Sequence, residues 1–264
     1  MTSTTKSKIA IIGTGISGLG AAHLLHPHRD LVIYEKNHYV GGHSRTIDVK
    51  TNQGSVPVDT GFIVFNERNY PLLTRLFKHL QVPTVHSDMS FGASIEGGWL
   101  EYGTRRNSDL FAQKRNFLRP AYWAMLRDIV RFNQAALSYI DRDPSFTLAQ
   151  CLDELNMGTW FRNYYLVAMG ACIWSTPLEK MLDFPAAAFI RFFDNHGLLS
   201  VNDHPQWFTV KGGSREYVKR IIAPFKEKIQ LNCGVVSVER RDDGVVIHDT
   251  QGNSALYDQV IFAC

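Results

Sequence analysis

Residues 8–35 read KIAIIGTGISGLGAAHLLHPHRDLVIYE, and this stretch decides the fold. Two short apolar runs of strand length flank a glycine-rich turn and a run of helical length that ends before Pro27. We predict strands at 8–12 and 31–34 and a helix at 19–25. A β-α-β unit of this kind places its two strands in parallel through a right-handed crossover. The sequence therefore predicts an α/β protein with a parallel sheet.

The glycine-rich turn reads GTGISG and has the spacing of a dinucleotide-binding fingerprint. Gly13 permits the tight turn from strand to helix, Gly15 lets the backbone approach a pyrophosphate, and Gly18 lets the helix pack against the sheet. Ile16 and Ser17 lie at the helix start, where unpaired N–H groups and a partial positive charge favour phosphate. We assign these five residues to cofactor binding.

Glu35 closes the second strand, where this fingerprint requires an acidic residue. Its carboxylate is suited to accept hydrogen bonds from both hydroxyls of an adenosine ribose, and it would repel the 2'-phosphate of NADP. Lys36 follows it and is assigned to the same site. The alternative is a β-α-β unit without a ligand, and the matching context on both sides of the turn argues against it.

A second glycine pair, Gly41-Gly42, follows Glu35 and allows another loop to approach the same phosphates. With this pair, the chain resembles the flavin amine oxidase superfamily, which includes phytoene desaturases and protoporphyrinogen oxidases. The superfamily pattern GG-x-x-x-Thr is matched here by GGHSRT, which ends at Thr46. The resemblance implies FAD as the cofactor, with His43 or Arg45 meeting its phosphates. NAD as sole cofactor stays open, although the second glycine pair argues against it.

Three further segments extend the resemblance. Asp59-Thr60-Gly61 is similar to the superfamily segment that runs beside the flavin, which implies contacts from Thr60 and Gly61. Lys211-Gly212-Gly213-Ser214 is similar to the glycine pair at which the chain returns to the FAD-binding domain. Val235 matches a position whose backbone contacts adenine. The resemblance thus implies a cofactor site drawn from distant parts of the chain.

Within the superfamily, four segments resemble a bacterial subgroup of predicted NAD/FAD-binding oxidoreductases, whose genes often lie beside cyclopropane-fatty-acid synthase genes. The segments are VDTGFIVFN (58–66), SDMSF (87–91), IWSTP (173–177) and FFDNHGLL (192–199). The superfamily also has a Gly-Asp motif near its C-terminus that holds the ribityl chain and pyrophosphate of FAD. Because this sequence reaches Cys264 without that motif, we expect a C-terminally truncated protein that binds FAD weakly or incompletely.

The order of the predicted elements suggests a discontinuous layout. We expect a Rossmann-like, glutathione-reductase-like FAD-binding domain with an inserted, mostly helical substrate domain. The predicted boundaries are 1–65 for the first part of the FAD-binding domain, 66–204 for the insertion and 205–264 for the second part. Within the insertion, residues 120–140 predict an amphipathic helix whose apolar face includes Met125, Val130 and Leu137.

The 264-residue chain has a formal net charge of +3, which is too small to predict nucleic-acid binding. Seven basic residues lie between Arg105 and Arg131, against Asp109 and Asp128. This stretch is either an ordinary solvated surface or a contact with anionic membrane lipids, where each basic residue contributes ~1 kcal/mol. No secretory segment and no apolar run of spanning length is evident. We expect a cytoplasmic protein, at most peripheral at the inner face of the membrane.

Metal binding is not predicted. The four cysteines form no C-x-x-C pair, and His23 and His26 lack an evident third ligand. His196 is a candidate catalytic residue, since a histidine close to a flavin can orient substrate or move a proton. The alternative is that the His196 ring satisfies a buried turn.

The resemblance implies an FAD-dependent oxidoreductase that removes a hydride from a C–H bond of an apolar, lipid-like or amine substrate. The expected partner is a small molecule, in the leading case a fatty-acyl lipid. Two alternatives stay open. One is a flavin-dependent isomerase of the UDP-galactopyranose mutase kind, which performs no net redox reaction. The other is a truncated, non-catalytic relic that binds nucleotide.

Overall fold

A computed structural model describes residues 6–200 and 205–264 of the chain. Contacts divide the chain into two compact units. As far as they are described, residues 1–65, 70–86 and 208–264 form unit 1, and residues 66–69 and 87–207 form unit 2. Unit 1 therefore combines segments from both ends of the sequence.

The regular elements are mainly short strands and α-helices, numbered in chain order. The strands are β1 (Lys8–Ile12), β2 (Asp30–Tyr34), β3 (Thr46–Thr51), β4 (Gly54–Asp59), β5 (Phe65–Asn66), β6 (Thr84–Ser87), β7 (Gly92–Ile95), β8 (Leu100–Gly103), β9 (Trp207–Val210), β10 (Ile229–Gln230), β11 (Val235–Arg241), β12 (Gly244–Asp249), β13 (Ser254–Tyr257) and β14 (Gln259–Phe262). The α-helices are α1 (Ile16–Leu25), α2 (Pro71–His79), α3 (Pro120–Ala135), α4 (Leu148–Glu154), α5 (Thr159–Phe161), α6 (Val167–Trp174), α7 (Ala186–Asn195) and α8 (Arg215–Ile222). None of the helices in the described residues combines the length and the apolar character needed to cross a membrane.

Unit 1 is built on a four-stranded parallel sheet in the order β10-β2-β1-β14. β1 is an interior strand of this sheet, and its Ala10 and Ile11 are fully buried. β2 and β14 lie on opposite sides of β1. In open α/β sheets, ligands bind beyond the carboxyl ends of the strands at such a switch point. The crevice that follows β1 is therefore the expected place for a ligand.

Helix α1 begins three residues earlier than predicted, at Ile16 instead of Leu19. The earlier start follows from Gly15, whose extended backbone (φ −66°, ψ 177°) makes it the N-terminal cap of the helix. Leu19 and Ala22 are fully buried in the same core as Leu31 of β2. The predicted β-α-β unit is thus present, with the glycine turn leading directly into the helix.

Smaller sheets accompany the parallel sheet. β11, β12 and β13 form an antiparallel sheet, β3 and β4 form a hairpin, and β5, β9 and β6 form a third sheet in that order. The hairpin matters for the site because its two ends, Thr46 and Asp59, are paired with each other.

Residues 70–86 belong to unit 1, whereas the predicted boundary places them in the insertion. Phe77 of α2 and Val82 are buried in the core of unit 1. The ring of Phe77 lies 5.2 Å from the ring of Tyr217 in α8. Because Tyr217 comes far later in the chain, no local sequence pattern indicates this packing.

Unit 2 contains the β7–β8 hairpin and helices α3 to α7, packed around a core rich in aromatic side chains. In α3, Met125 is fully buried as predicted, but Val130 and Leu137 are each 46% exposed, so the predicted apolar face is wrong for these two residues. Asp128 occupies the buried face of α3, because it accepts hydrogen bonds from the Gly158 N–H at 2.9 Å and from Arg131 at 2.8 Å. Beyond Ala135 the chain continues as a 3₁₀ helix, which turns Leu137 away from that face.

Candidate functional site

The turn between β1 and α1 requires glycine at two positions. Gly13 has a φ of +104°, and a Cβ there would lie 2.7 Å from the Ala263 carbonyl oxygen. A Cβ at Gly18 would overlap the carbonyl oxygen of Gly13. The Gly13 N–H donates to the Tyr34 carbonyl oxygen at 2.8 Å, which ties the turn to the end of β2. These contacts hold the start of α1 against the carboxyl end of the sheet.

Gly15 has a different environment, because a Cβ built there would meet no atom within 4 Å. No side chain caps α1, and Ile16 and Ser17 at its first turn are exposed. The first N–H groups of an α-helix have no partner within the helix, and they carry the positive end of its dipole. The open space at Gly15 therefore lies beside donors that are suited to an anion.

The second glycine pair lies directly against this turn. Gly41 and Gly42 have positive φ values of +122° and +58°. The Gly41 N–H donates to the Thr14 carbonyl oxygen at 3.1 Å, and a Cβ at Gly42 would lie 3.0 Å from the Gly15 Cα. A side chain at Gly42 would thus press on the backbone of the first turn. The two glycine loops, predicted separately, form one surface.

The carboxylate of Glu35 is buried and faces the glycine turn. One of its oxygens accepts hydrogen bonds from the Thr14 N–H at 3.1 Å and from the Thr14 hydroxyl. The other accepts from the Asn37 N–H at 2.8 Å and from the Asn37 side-chain amide at 2.9 Å. Sequence reasoning missed Thr14 and Asn37. The only signal for Thr14 was a hydroxyl at a variable position of the GTGISG motif.

Three separated motifs meet at Asp59. Its carboxylate accepts hydrogen bonds from the Thr46 hydroxyl at 2.6 Å, the Ser214 N–H at 2.9 Å and the Ser214 hydroxyl at 2.7 Å. A Cβ at Gly213 would overlap the Thr46 side chain, so glycine is required there. The end of the GGHSRT segment, the start of the Asp59-Thr60-Gly61 segment and the Lys211–Ser214 segment therefore converge at the start of α8.

Thr60 and Gly61 lie alongside the segment that contains His43 and Arg45. The Thr60 N–H donates to the Arg45 carbonyl oxygen at 2.9 Å, and a Cβ at Gly61 would overlap the His43 carbonyl oxygen. The Arg45 guanidinium lies 4.8 Å from the centre of the Tyr39 ring, and both residues line a surface cavity of about 270 Å³. The His43 side chain is exposed.

Val235 and Lys36 are brought close together by the pairing of β10 with β2. The Cys233 N–H donates to the Glu35 carbonyl oxygen at 2.9 Å. A Cβ at Gly234 would lie 3.3 Å from the Lys36 Cβ. Val235 follows immediately as the first residue of β11, so the residues predicted at the adenine and ribose lie in neighbouring segments.

His196 is the one predicted site residue in unit 2, at the C-terminal end of α7. Its Nδ1 lies 2.8 Å from the Phe192 carbonyl oxygen, and its ring stacks on the Phe192 ring at 3.8 Å. The ring of Trp207 lies 6.1 Å away in a parallel orientation. These contacts match the structural alternative, in which His196 closes the last turn of its helix.

The sequence model of one protein family, described as flavin containing amine oxidoreductase, matches residues 16–264. No curated protein sequence matches the chain significantly. The match spans nearly the whole chain and agrees with the superfamily predicted from the sequence motifs and with the predicted flavin cofactor.

Several solved structures share the fold. The cyclohexylamine oxidase from Brevibacterium oxydans is 21% identical with a TM-score of 0.71, and the match covers 98% of this chain and 58% of that one. A putrescine oxidase bound to putrescine is 17% identical with a TM-score of 0.68, covering 97% and 57%. A fatty acid isomerase from P. acnes, which produces CLA, is 16% identical with a TM-score of 0.65, covering 99% and 59%. The chain thus spans less than two thirds of the length of each structure.

Proposed function

The chain belongs to the flavin-containing amine oxidoreductase family, and we propose from this premise that it forms the nucleotide-binding part of an FAD-dependent oxidoreductase. The proposed reaction removes a hydride from a C–H bond of an amine or of an apolar, lipid-like substrate. FAD supplies the hydride acceptor. The observation that carries the proposal is the convergence of both glycine loops at the carboxyl end of β1.

The glycine turn fits the diphosphate of FAD. The space at Gly15 is free of protein atoms, and the exposed start of α1 presents N–H groups at Ile16 and Ser17. The absence of a side chain at Gly42 lets the second loop lie close to the Gly15 backbone, where a Cβ would come within 3.0 Å of the Gly15 Cα. We therefore assign the diphosphate to this space, with Gly13 and Gly18 keeping the turn and the helix in place.

We assign the adenosine half of FAD to Glu35, Lys36 and Val235. Glu35 already accepts four hydrogen bonds, which is about the capacity of a carboxylate. Ribose hydroxyls would therefore have to replace the two donors of Asn37, while Thr14 keeps the other oxygen fixed to the turn. Lys36 and Val235 lie in the adjoining segments where adenine is predicted.

We assign the other half of FAD to the loop of Gly41 and Gly42 and to Thr60 and Gly61. The two side chains beside this loop that could meet the phosphates are those of Arg45 and His43. Arg45 is held over the Tyr39 ring, whereas the His43 side chain is exposed. FAD titration of His43→Ala and Arg45→Ala variants would identify the side chain that meets the phosphates.

Unit 2 is the proposed substrate domain, inserted into the FAD-binding domain and mostly helical. Its support is the helical content of α3 to α7 and a cluster of aromatic rings, in which Trp174 lies 4.7 Å from Phe192. His196 at the end of α7 is the proposed residue for orienting substrate, and the alternative is that its contacts with Phe192 only close the last turn of the helix. Unchanged turnover in a His196→Ala variant would remove that role.

A second candidate is flavin-dependent isomerisation, favoured by the shared fold of the fatty acid isomerase from P. acnes. An isomerase returns the hydride to the same molecule, so no net reduction of the flavin accumulates. Anaerobic mixing with amines and with fatty acids separates the two candidates, because bleaching of the flavin supports the oxidoreductase. A nucleotide-binding relic would give neither bleaching nor isomerised product.

The cofactor assignment is tested by the same substitution at two glycines of one segment. Gly15→Ala places a methyl group in the open space assigned to the diphosphate, whereas Gly20→Ala lies within α1; neither meets a protein atom within 4 Å. We expect Gly15→Ala to weaken FAD binding about tenfold or more, which corresponds to about 1.4 kcal/mol. Gly20→Ala should leave FAD binding unchanged. Equal FAD affinities of the two variants, measured by flavin fluorescence, would contradict the assignment.

A further inference from the structure

We propose that unit 2 carries a docking surface for anionic lipid bilayers. This surface, termed the α3 outer face, comprises Phe117, Leu118, Trp123, Arg127, Val130 and Leu137. It combines exposed apolar side chains with a surrounding excess of positive charge. Both properties belong to residues of unit 2 and do not depend on the proposed flavin chemistry.

The apolar side chains of the α3 outer face are unusually exposed. Leu118 is 86% exposed, Phe117 52% and Trp123 48%. They are also contiguous, because the Phe117 and Trp123 rings lie 6.3 Å apart and the Trp123 indole N–H donates to the Phe117 carbonyl oxygen at 3.0 Å. Apolar residues scattered singly on a surface need no explanation, but a contiguous group marks an interaction site.

The spacing along α3 extends this group into a stripe. Trp123, Arg127 and Val130 are four and three residues apart, which places them on one side of the helix. The opposite side of the helix buries Tyr122 and Phe132 in the core of unit 2. The inner face of α3 therefore supplies the packing of the helix against the core, and the outer stripe is exposed and can contact a partner.

Basic residues lie next to the exposed side chains of Phe117 and Leu118. Lys114 is exposed next to them, while Arg115 and Arg119 donate to the Trp99 carbonyl oxygen at 2.7 and 3.0 Å. That carbonyl carries no net charge, so both guanidinium charges persist. Arg127 adds a positive charge in the middle of the stripe.

The two acidic residues between Arg105 and Arg131 offset little of the positive charge. Asp109 lies 3.7 Å from Arg106, which balances it. Asp128 is buried, is paired with Arg131 at 2.8 Å and lies 3.7 Å from Arg127, so these two arginines together keep one net positive charge. Residues 105–131 therefore carry an excess of positive charge, with seven basic side chains against two acidic ones, which favours an anionic partner.

A bilayer fits this combination better than a nucleic acid does. Lipid headgroups supply negative charge, and the acyl region just beneath them accepts Leu118 and Phe117. Tryptophan is enriched at the membrane–water boundary, which is the level that Trp123 would occupy. A nucleic-acid backbone would satisfy the basic residues but would leave the apolar side chains in water.

The test is flotation of the full chain with vesicles of phosphatidylcholine alone and with added phosphatidylglycerol. We expect binding to the anionic vesicles only, weakened by salt because surface charges are screened. Leu118→Glu should lower the partition coefficient about tenfold or more, and Lys114→Glu about fivefold. Leu72→Glu and Lys50→Glu are the matched controls, since both residues are exposed and lie in unit 1.

Three outcomes would overturn the proposal. The first is equal binding to neutral and anionic vesicles. The second is a Leu118→Glu variant that partitions like Leu72→Glu while its thermal unfolding is unchanged. Binding to a DNA duplex without binding to either vesicle would identify the basic residues as a nucleic-acid surface and would likewise overturn it.

Discussion

Glu35 and its two partners form a densely hydrogen-bonded group of the candidate site. Thr14 and Asn37 supply all four donors to the Glu35 carboxylate. An acid in this position was predictable from the fingerprint, because an acidic side chain closing the second strand is part of it. The donors could not be predicted, because the fingerprint does not specify the residue types at positions 14 and 37. Glu35 therefore stabilises the glycine turn even before any ribose is bound.

His23 makes the protein less stable at acid pH. Burial is the main cause that lowers the pKa of His23 below 6.5, and nearby His79 on α2 and His26 just after α1 lower it further. Its Nδ1 is buried without a hydrogen-bond partner among the described residues. The unfolded chain therefore binds more protons than the folded chain as the pH falls below about 6.5, so the free energy of unfolding decreases there.

We expect a His23→Leu variant to lose less stability than the wild type between about pH 7 and about pH 5. Urea unfolding at both pH values measures this difference. His28→Leu is the control, because His28 is an exposed histidine just beyond the same helix. If the wild type and His23→Leu show the same pH dependence, His23 does not carry the effect.

At the scale of the element, the start of α8 depends on Asp59 at the end of β4. The Asp59 carboxylate accepts hydrogen bonds from the Ser214 N–H, which is shared between both of its oxygens, from the Ser214 hydroxyl and from the Thr46 hydroxyl. A negative charge at a helix N-terminus is also favoured by the helix dipole. Asp59→Asn keeps the shape but removes the charge, so we expect a loss of roughly 1.5–3 kcal/mol in the free energy of unfolding.

Asp48→Asn is the matched control for Asp59→Asn in chemical unfolding. Asp48 lies on the same hairpin and pairs with Arg215 at 2.6 Å on the exposed surface. Exposed ion pairs contribute little to stability, because solvent screens them. A loss at Asp59 no larger than the loss at Asp48 would show that Asp59 does not hold α8 in place.

Elements were predictable where one local pattern determines them. β1, α1 and β2 follow from a short sequence in which strand, turn and helix signals agree. The outward position of Val130 was not predictable, because Asp128 takes the inner face of α3 through hydrogen bonds to Arg131 and to distant Gly158. Asp59 and Ser214 likewise meet across 155 positions of sequence, which no periodicity reveals.

For the whole molecule, the division into units separates the predicted cofactor residues from the rest. Every predicted cofactor residue from Gly13 to Val235 lies in unit 1, whereas His196 lies in unit 2. The resemblance implied this distribution through its order of motifs. The place of residues 70–86 could not be inferred, because it depends on the packing of Phe77 against Tyr217. A ligand bound at the glycine loops should therefore stabilise unit 1 first.

Hydrogen exchange with three ligands tests this distribution. FAD should protect the two glycine loops, the segments around Glu35 and Val235, and the segment at Thr60 and Gly61. ADP should protect the first turn and the segments around Glu35 and Val235, but not Thr60 and Gly61. FMN lacks adenosine and should leave the segments around Glu35 and Val235 unprotected.

The size of the protection follows from mass action, because a ligand that binds only the folded state stabilises it by about 2.7 kcal/mol at a hundred times its Kd. Comparing the ligands at equal multiples of their Kd values removes differences in affinity. The pattern across peptides then reports where each part of the cofactor lies. FMN protection around Glu35 would contradict the assignment of adenosine to this region, because FMN has no adenosine. FAD protection confined to α4–α7 of unit 2 would place the cofactor away from the glycine loops.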